Sequence, residues 1–335
     1  MHTQVCCREG LPLFAKTELS ALLRGRRERR MTTVEPSARE PLKNVFVATD
    51  FSSGSELALG RALALSRAPG ARLHVVHVLP ADLAAKVRSK AEAEARARLG
   101  QALSRARDTA NALGELNLTS EVLRGQAFVE IIRCSRSIDA DLLVLGRHGR
   151  RPVRDMFMGT TAERVIRKGD VPVLVVNLDP TQPYRRPLIA VDPGDASRRT
   201  LQLALRVLGP EVKSINVVHA FNVPFEGFVT PTFSAREKSD YRRSFREKAA
   251  TDLASFLASF PDIGVRWKTA VRRGDARSVI LGEGLRRRAD LIALGTHARS
   301  GVAHALLGSV AEWIIAAASC DVLVARPIRF SFELP

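Results

Sequence analysis

The chain repeats itself, and the repeat sets the architecture. Asn44-Val-Phe-Val-Ala-Thr-Asp50 returns as Pro187-Leu-Ile-Ala-Val-Asp192, a buried strand ending in Asp. Arg72-Leu-His-Val-Val-His-Val78 returns as Ser214-Ile-Asn-Val-Val-His-Ala220, and Glu121-Val-Leu-Arg-Gly125 as Ala270-Val-Arg-Arg-Gly274. Ala140-Asp-Leu-Leu-Val-Leu-Gly146 matches Ala289-Asp-Leu-Ile-Ala-Leu-Gly295, and Val171-Pro-Val-Leu-Val-Val176 matches Cys320-Asp-Val-Leu-Val-Ala325. Between them lie stretches with apolar spacing near 3.6, such as Ser55 to Arg67, Ala84 to Leu113, Phe128 to Ile138 and Ala235 to Phe260. The order β-α-β-α-β-α-β-α-β therefore occurs twice. Apolar strands separated by helices predict an α/β fold with two tandem five-stranded parallel sheets, each covered on both faces. A chain of 335 residues has room for two such domains. Residues 42–178 and 187–330 are the expected domains. The segment 179–186, rich in Pro and turn formers, is the expected linker.

A glycine spacing is duplicated with the strands. Gly146-Arg-His-Gly149 is followed by nine residues and Gly159-Thr160; Gly295-Thr-His-Ala298 is followed by nine residues and Gly308-Ser309. Each copy joins a strand to a helix at the carboxyl end of a parallel sheet, where open α/β folds bind ligands and helix-start amides attract phosphate. In the first copy, Asp50 ends strand one and Gly146 ends strand four, so the two flank one crevice. Asp50 there can accept hydrogen bonds from ribose hydroxyls. Gly146 and Gly149 let the backbone approach a phosphate, and Gly159, Thr160 and Thr161 open the next helix. Arg147, His148, Arg150, Arg151 and Arg154 in the loop can screen phosphate charge. A single Asp or glycine pair would mean only a turn; their combination in one repeat points to a site. The second copy has lost its middle glycine at Ala298, and Asp192 is followed by Pro193-Gly194. If position 298 needs a positive φ, the Cβ costs roughly 1–2 kcal/mol. The second site is expected to be weak or degenerate.

Other chemistry is excluded or unsupported. No apolar run approaches the roughly 18–20 residues of a bilayer span, so no membrane segment is expected. The formal charge of +17 raises the question of nucleic acid, but arginines are spread through both halves and aromatics make up only 5%. Specific nucleic-acid binding is not expected. Cys6, Cys7, Cys134 and Cys320 have no metal or CxxC spacing; Cys134 and Cys320 read as buried thiols, which suits a reducing cytoplasm. His77 and His219, on strands, read as packed or locally hydrogen-bonded. No His/Asp/Glu group has metal spacing and no Ser/His/Asp set stands out. Residues 1–41 end their first part in Arg24-Gly-Arg-Arg-Glu-Arg-Arg30, with charge after rather than before a short apolar piece. They read as a disordered tail or as an over-extended start, with Met31 the alternative beginning.

At these residues the chain resembles the universal stress protein family in tandem form. The resemblance covers about residues 42–330 and rests on the first strand ending in Asp, the spacing G-x2-G-x9-G-(S/T), complete in copy one, and the terminal Pro-Val-Leu-Val-Val. It implies two nucleotide-binding domains of the Rossmann-like, adenine nucleotide alpha-hydrolase-like class, paired through their last strands as an internal pseudo-dimer, with a homodimer of the whole chain also open. It implies ATP as ligand, with Mg or Mn on the phosphates but no dedicated side-chain cage. Thr49 and Asp50 would meet ribose and adenine, and the backbone at Val78 the adenine edge. Gly146, Arg147, His148, Gly149, Gly159, Thr160 and Thr161 would surround the phosphates. In the weaker copy the counterparts are Asp192, Ala220, Gly295, Ala298, Gly308 and Ser309. The expected function is a cytoplasmic, nucleotide-responsive stress or signalling protein, with at most slow ATP hydrolysis because no motif places a general base. Alternatives are a nucleotide-free dimeric scaffold, a slow ATPase and, on the related fold, an ATP-pyrophosphate-cleaving enzyme, for which no substrate motif is present.

Overall fold

Runs such as Val45-Phe46-Val47 and Leu142-Leu143-Val144 have no polar side to turn to water, so they end up sandwiched between helix layers. The computed structural model describes residues 40–110, 117–147, 160–226, 233–296 and 307–326. Repeat one runs β1 (Asn44–Ala48), α1 (Ser53–Leu65), β2 (Arg72–Leu79), α2 (Ala85–Ala110), β3 (Asn117–Arg124), α3 (Ala127–Ser137), β4 (Leu142–Gly146), α4 (Thr160–Lys168) and β5 (Val173–Val176). Repeat two runs β6 (Pro187–Ala190), α5 (Asp195–Leu208), β7 (Ser214–Phe221), α6 (Ala235–Ala258), β8 (Arg266–Arg273), α7 (Ala276–Arg287), β9 (Leu291–Gly295), α8 (Ser309–Ala317) and β10 (Asp321–Ala325). The expected tail, apart from Glu40 and Pro41, lies outside the described residues.

The strand order is β3-β2-β1-β4-β5-β10-β9-β6-β7-β8. Within each repeat every pairing is parallel. The two five-stranded sheets are then joined by β5 and β10, which run antiparallel with Leu174 opposite Leu323, Val173 opposite Val324 and Val175 opposite Val322. Since Leu174 and Leu323 occupy the same place in the two copies, a pseudo-twofold axis passes between them. The internal pairing expected from the terminal strands is present, and it makes one ten-stranded sheet.

Two apolar layers flank this sheet. Leu174, Val176, Leu323 and Ala325 point into the layer under α1, α2, α5 and α6, while Val173, Val175, Val322 and Val324 point into the layer under α3, α4, α7 and α8. Side chains such as Phe46, Ile166 and Leu205 are fully buried, each contributing roughly 1.5–3 kcal/mol relative to exposure.

The third strand of each repeat begins earlier than its apolar run indicates. The sequence marks it from Glu121 and Ala270, whereas β3 starts at Asn117 and β8 at Arg266. These are the two sheet edges, where only one neighbour is paired and most side chains face solvent, so polar residues are tolerated. On β8 the exposed Arg266, Lys268, Arg272 and Arg273 also guard an open edge against pairing with another chain.

A carboxylate repeated in both copies anchors each first strand. Asp141 Oδ2 accepts the backbone N–H of Lys43 (2.7 Å) and Asn44 (2.9 Å). Asp290 accepts the equivalent N–H groups of Arg185 (2.7 Å) and Arg186 (2.9 Å). The signal was the Ala-Asp that precedes the fourth strand twice, Ala140-Asp141 and Ala289-Asp290.

Candidate nucleotide site

The carboxyl end of β1 lies between β2 and β4. Thr49 N donates to Val76 O on β2 (2.8 Å), and Val47 pairs with Val144 on β4. β3 connects to β4 across β1 and β2, so the chain changes direction at the β1–β4 gap, the position where such sheets take ligands. Asp50, Val78 and Gly146 therefore converge at one end of three adjacent strands.

Asp50 is held in place. Its Oδ1 accepts Ser52 N (3.1 Å) and the Ser52 hydroxyl (2.5 Å). Ser52 in turn caps α1, accepting from Ser55 N. Thr49 is buried and consumed by structure: its Oγ1 lies 3.0 Å from Ser55 Oγ and accepts Phe51 N, and its carbonyl accepts Nδ1–H of His77 at 2.7 Å. His219 makes the same bond to Val191 O at 3.0 Å. Because a carbonyl only accepts, both imidazoles carry their proton on Nδ1; these histidines are locally hydrogen-bonded strand residues. Phe51 has a φ of 60°, and its ring sits 4.4 Å from that of His77 with the Arg98 guanidinium 4.4 Å away on it.

Gly146 has a reason of its own. A Cβ there would lie 2.4 Å from the Gly54 carbonyl group and 2.9 Å from Ser55 N. Glycine thus lets the end of β4 reach the first turn of α1 and brings that helix's positive end to the crevice. Gly308 is constrained in the same way, since a Cβ would meet the Thr296 carbonyl at 2.1 Å. Thr160 and Thr161 open α4, and Ser309 opens α8 after Gly308. His148, Gly149, Gly159 and Ala298, like the loop arginines 150, 151 and 154, lie outside the described residues.

Arg147 is directed elsewhere than its place in the loop suggests. Its Nη1 donates to Ala318 O (2.6 Å) and its Nη2 to Ala316 O, at the carboxyl end of α8 in the other repeat. A cation at a helix carboxyl terminus is favourable, and burial lowers the guanidinium's pKa from its ordinary value. Only the tertiary pairing of the repeats brings these groups together.

The equivalent corner of repeat two differs in detail. Asp192 N donates to Ser197 Oγ (2.8 Å), whose hydroxyl donates to Asp192 O (2.7 Å). The place of Ser52 is taken by Gly194, so the hydroxyl that holds Asp50 has no counterpart, and α5 starts without a side-chain cap. Val78 and Ala220 occupy matching places near the ends of β2 and β7. Among the described residues no group of three or more His, Cys, Asp or Glu is placed to hold a metal ion.

A model of the universal stress protein family matches residues 41–177 and again 183–326. The chain belongs to the universal stress protein family. A universal stress protein of Mycobacterium tuberculosis, Rv2005c, is 26% identical over 270 residues, covering 76% of this chain and 87% of its own. One from Mycolicibacterium smegmatis is 26% identical over 298 residues, covering 84% and 97%. Among solved structures, a universal stress protein from Archaeoglobus fulgidus superposes with a TM-score of 0.56 at 18% identity, over 84% of this chain and 98% of that one. The functionally unknown protein PA1789 from Pseudomonas aeruginosa gives 0.59 at 18% identity, over 85% and 93%. These two likenesses concern the fold. Among the described residues no helix is long and apolar enough to cross a membrane.

Proposed function

We propose that repeat one binds an adenine nucleotide, ATP, in the crevice between β1 and β4, and that this universal stress protein responds to nucleotide in stress signalling. The observation that carries the reading is Asp50, whose carboxylate is oriented by Ser52 between the ends of β2 and β4. A carboxylate there accepts from ribose hydroxyls, while the first turns of α1 and α4 present amides and positive helix ends to phosphate. Gly149 and Gly159–Thr161 complete the phosphate loop in this proposal, and the backbone at Val78 meets the base. Repeat two is the weaker site, because Ala298 replaces the middle glycine and Gly194 replaces Ser52.

Calorimetric titration of ATP into the intact chain and into Asp50→Ala and Asp192→Ala variants tests this. Losing charge-assisted hydrogen bonds, each about 1.5–3 kcal/mol, weakens the dominant site about 10- to 100-fold in Asp50→Ala. Asp192→Ala leaves that site within about twofold. Equal losses in both variants overturn the asymmetry. No binding by the intact chain favours the scaffold reading instead.

A further inference from the structure

The segment joining the repeats rests on a buried polar cluster that, among the described residues, lies on one side of the pseudo-twofold axis. Asp321, at the start of β10, is fully buried. Its Oδ1 accepts the N–H groups of Asn177 and Leu178, both at 2.8 Å, just beyond β5; its Oδ2 accepts the Tyr184 hydroxyl at 2.5 Å. Arg61 on α1 is also buried and brings Nε to 3.3 Å from that Oδ2. Its guanidinium lies over the Tyr184 ring and donates to Gln182 O (2.8 Å) and Asp179 O (3.1 Å). Beside it, Gly60 leaves the space that Pro180 fills, since a Cβ there would be 2.6 Å from Pro180 Cγ. Among the described residues the second copy does not repeat the central pair. Gln202 and Leu203 stand on α5 where α1 has Gly60 and Arg61, and Pro172 stands in repeat one where repeat two has Asp321.

We infer that the pairing surface formed by β5 and β10 is one-way: it accepts the opposite repeat and rejects a like repeat from a second chain. Pairing β5 with β5 buries two Arg61 guanidiniums, each facing Pro172 instead of a carboxylate. Pairing β10 with β10 buries two Asp321 carboxylates, each facing Leu203 and lacking Tyr184. A buried ion pair is tolerated when matched and strongly unfavourable when one member is stranded. A penalty on the wrong partner is how an interface discriminates. The charges at 61 and 321 therefore direct each chain to close on itself, whatever ligand it carries.

A cysteine at position 174 reads the pairing directly. In the native arrangement residue 174 faces Leu323, whereas like pairing sets residue 174 of one chain opposite residue 174 of the next. The full chain carrying Leu174→Cys is unfolded, refolded at high concentration, oxidised and mapped by peptide mass spectrometry, alone and together with Arg61→Leu and Asp321→Asn. The expected result is a 174–174 disulfide at background level with the native charges and at least tenfold more without them. Equal yields in the two backgrounds overturn the inference. Tyr184→Phe, which removes a hydrogen bond but no charge, should lower the denaturation midpoint yet leave the 174–174 yield at background; a rise there also overturns it. If the charge-free chain does not refold, Asp321→Asn alone gives the same comparison, because it too strands Arg61 in the native pairing.

Discussion

One backbone position separates the two copies at the end of their first strands. Phe51 holds φ at 60°, a conformation costing a non-glycine residue of order 1–3 kcal/mol and maintained here by His77 and Arg98. Its counterpart is Pro193, whose ring confines φ to about −65°, so the β6–α5 loop cannot copy the β1–α1 loop. Another single residue contributes to the acid sensitivity of repeat two. Glu283 on α7 is buried, which opposes its ionisation, but hydrogen bonds from Arg286 (2.5 Å), Arg287 (2.9 Å) and Arg272 (2.8 Å) overcome this and hold its carboxyl at about 2. With the folded value below the ordinary one of about 4.3, its stabilisation is complete above that ordinary value. It is lost as pH falls from there through about 2. Glu283→Gln should cost about 1–3 kcal/mol at neutral pH and flatten the decline in stability over that acid range, as followed by denaturant midpoints at a series of pH values. A variant as acid-sensitive as the parent refutes the assignment. Cys320 has the opposite fate: burial pushes its thiol up to about 12, leaving it inert.

At the scale of elements, the motif glycines set how closely a strand end meets a helix start. The contact of Gly146 with the α1 backbone leaves no flexible side chain to move aside. Gly146→Ala should therefore destabilise the fold by roughly 1–3 kcal/mol through overpacking, in addition to any effect on ligand. Thermal melts without nucleotide check this; an unchanged melting temperature would leave the glycine with a ligand role alone. Helix pairs show how the copies diverged while keeping their packing. In repeat one Arg164 of α4 lies over the Phe128 ring of α3, 5.5 Å from its centre. In repeat two Arg277 of α7 lies over the Trp313 ring of α8, at 5.7 Å. Cation and ring have exchanged helices at matching positions, and the exposed Trp313 is accounted for by this contact.

The two repeats share one continuous sheet. Beyond the β5–β10 ladder, Arg147 reaches Ala316 and Ala318, Arg167 on α4 pairs with Glu312 on α8, and Arg206 on α5 meets Asp141 at 2.9 Å. With so many contacts between repeats, neither half is expected to unfold ahead of the other. Both tryptophans, Trp267 and Trp313, are in repeat two. Their fluorescence reports that half, while far-ultraviolet circular dichroism reports both. The two denaturation curves should coincide; a fluorescence midpoint displaced from the dichroism midpoint would mean that the repeats melt separately.

The sequence by itself determined the α/β class, the duplication, the central strands and the placing of Asp50 and Gly146 beside one another, because buried parallel strands and strand-end turns leave local signals of apolar runs, Asp and Gly. Edge strands lack that signal, so the starts of β3 and β8 were legible only in the fold. The roles of Asp141 and Asp290, the turning of Arg147 toward α8 and the cluster of Arg61, Tyr184 and Asp321 were likewise decided by tertiary structure. Each depends on groups far apart in the chain, and a buried charge is stabilised only by the partner that folding delivers to it.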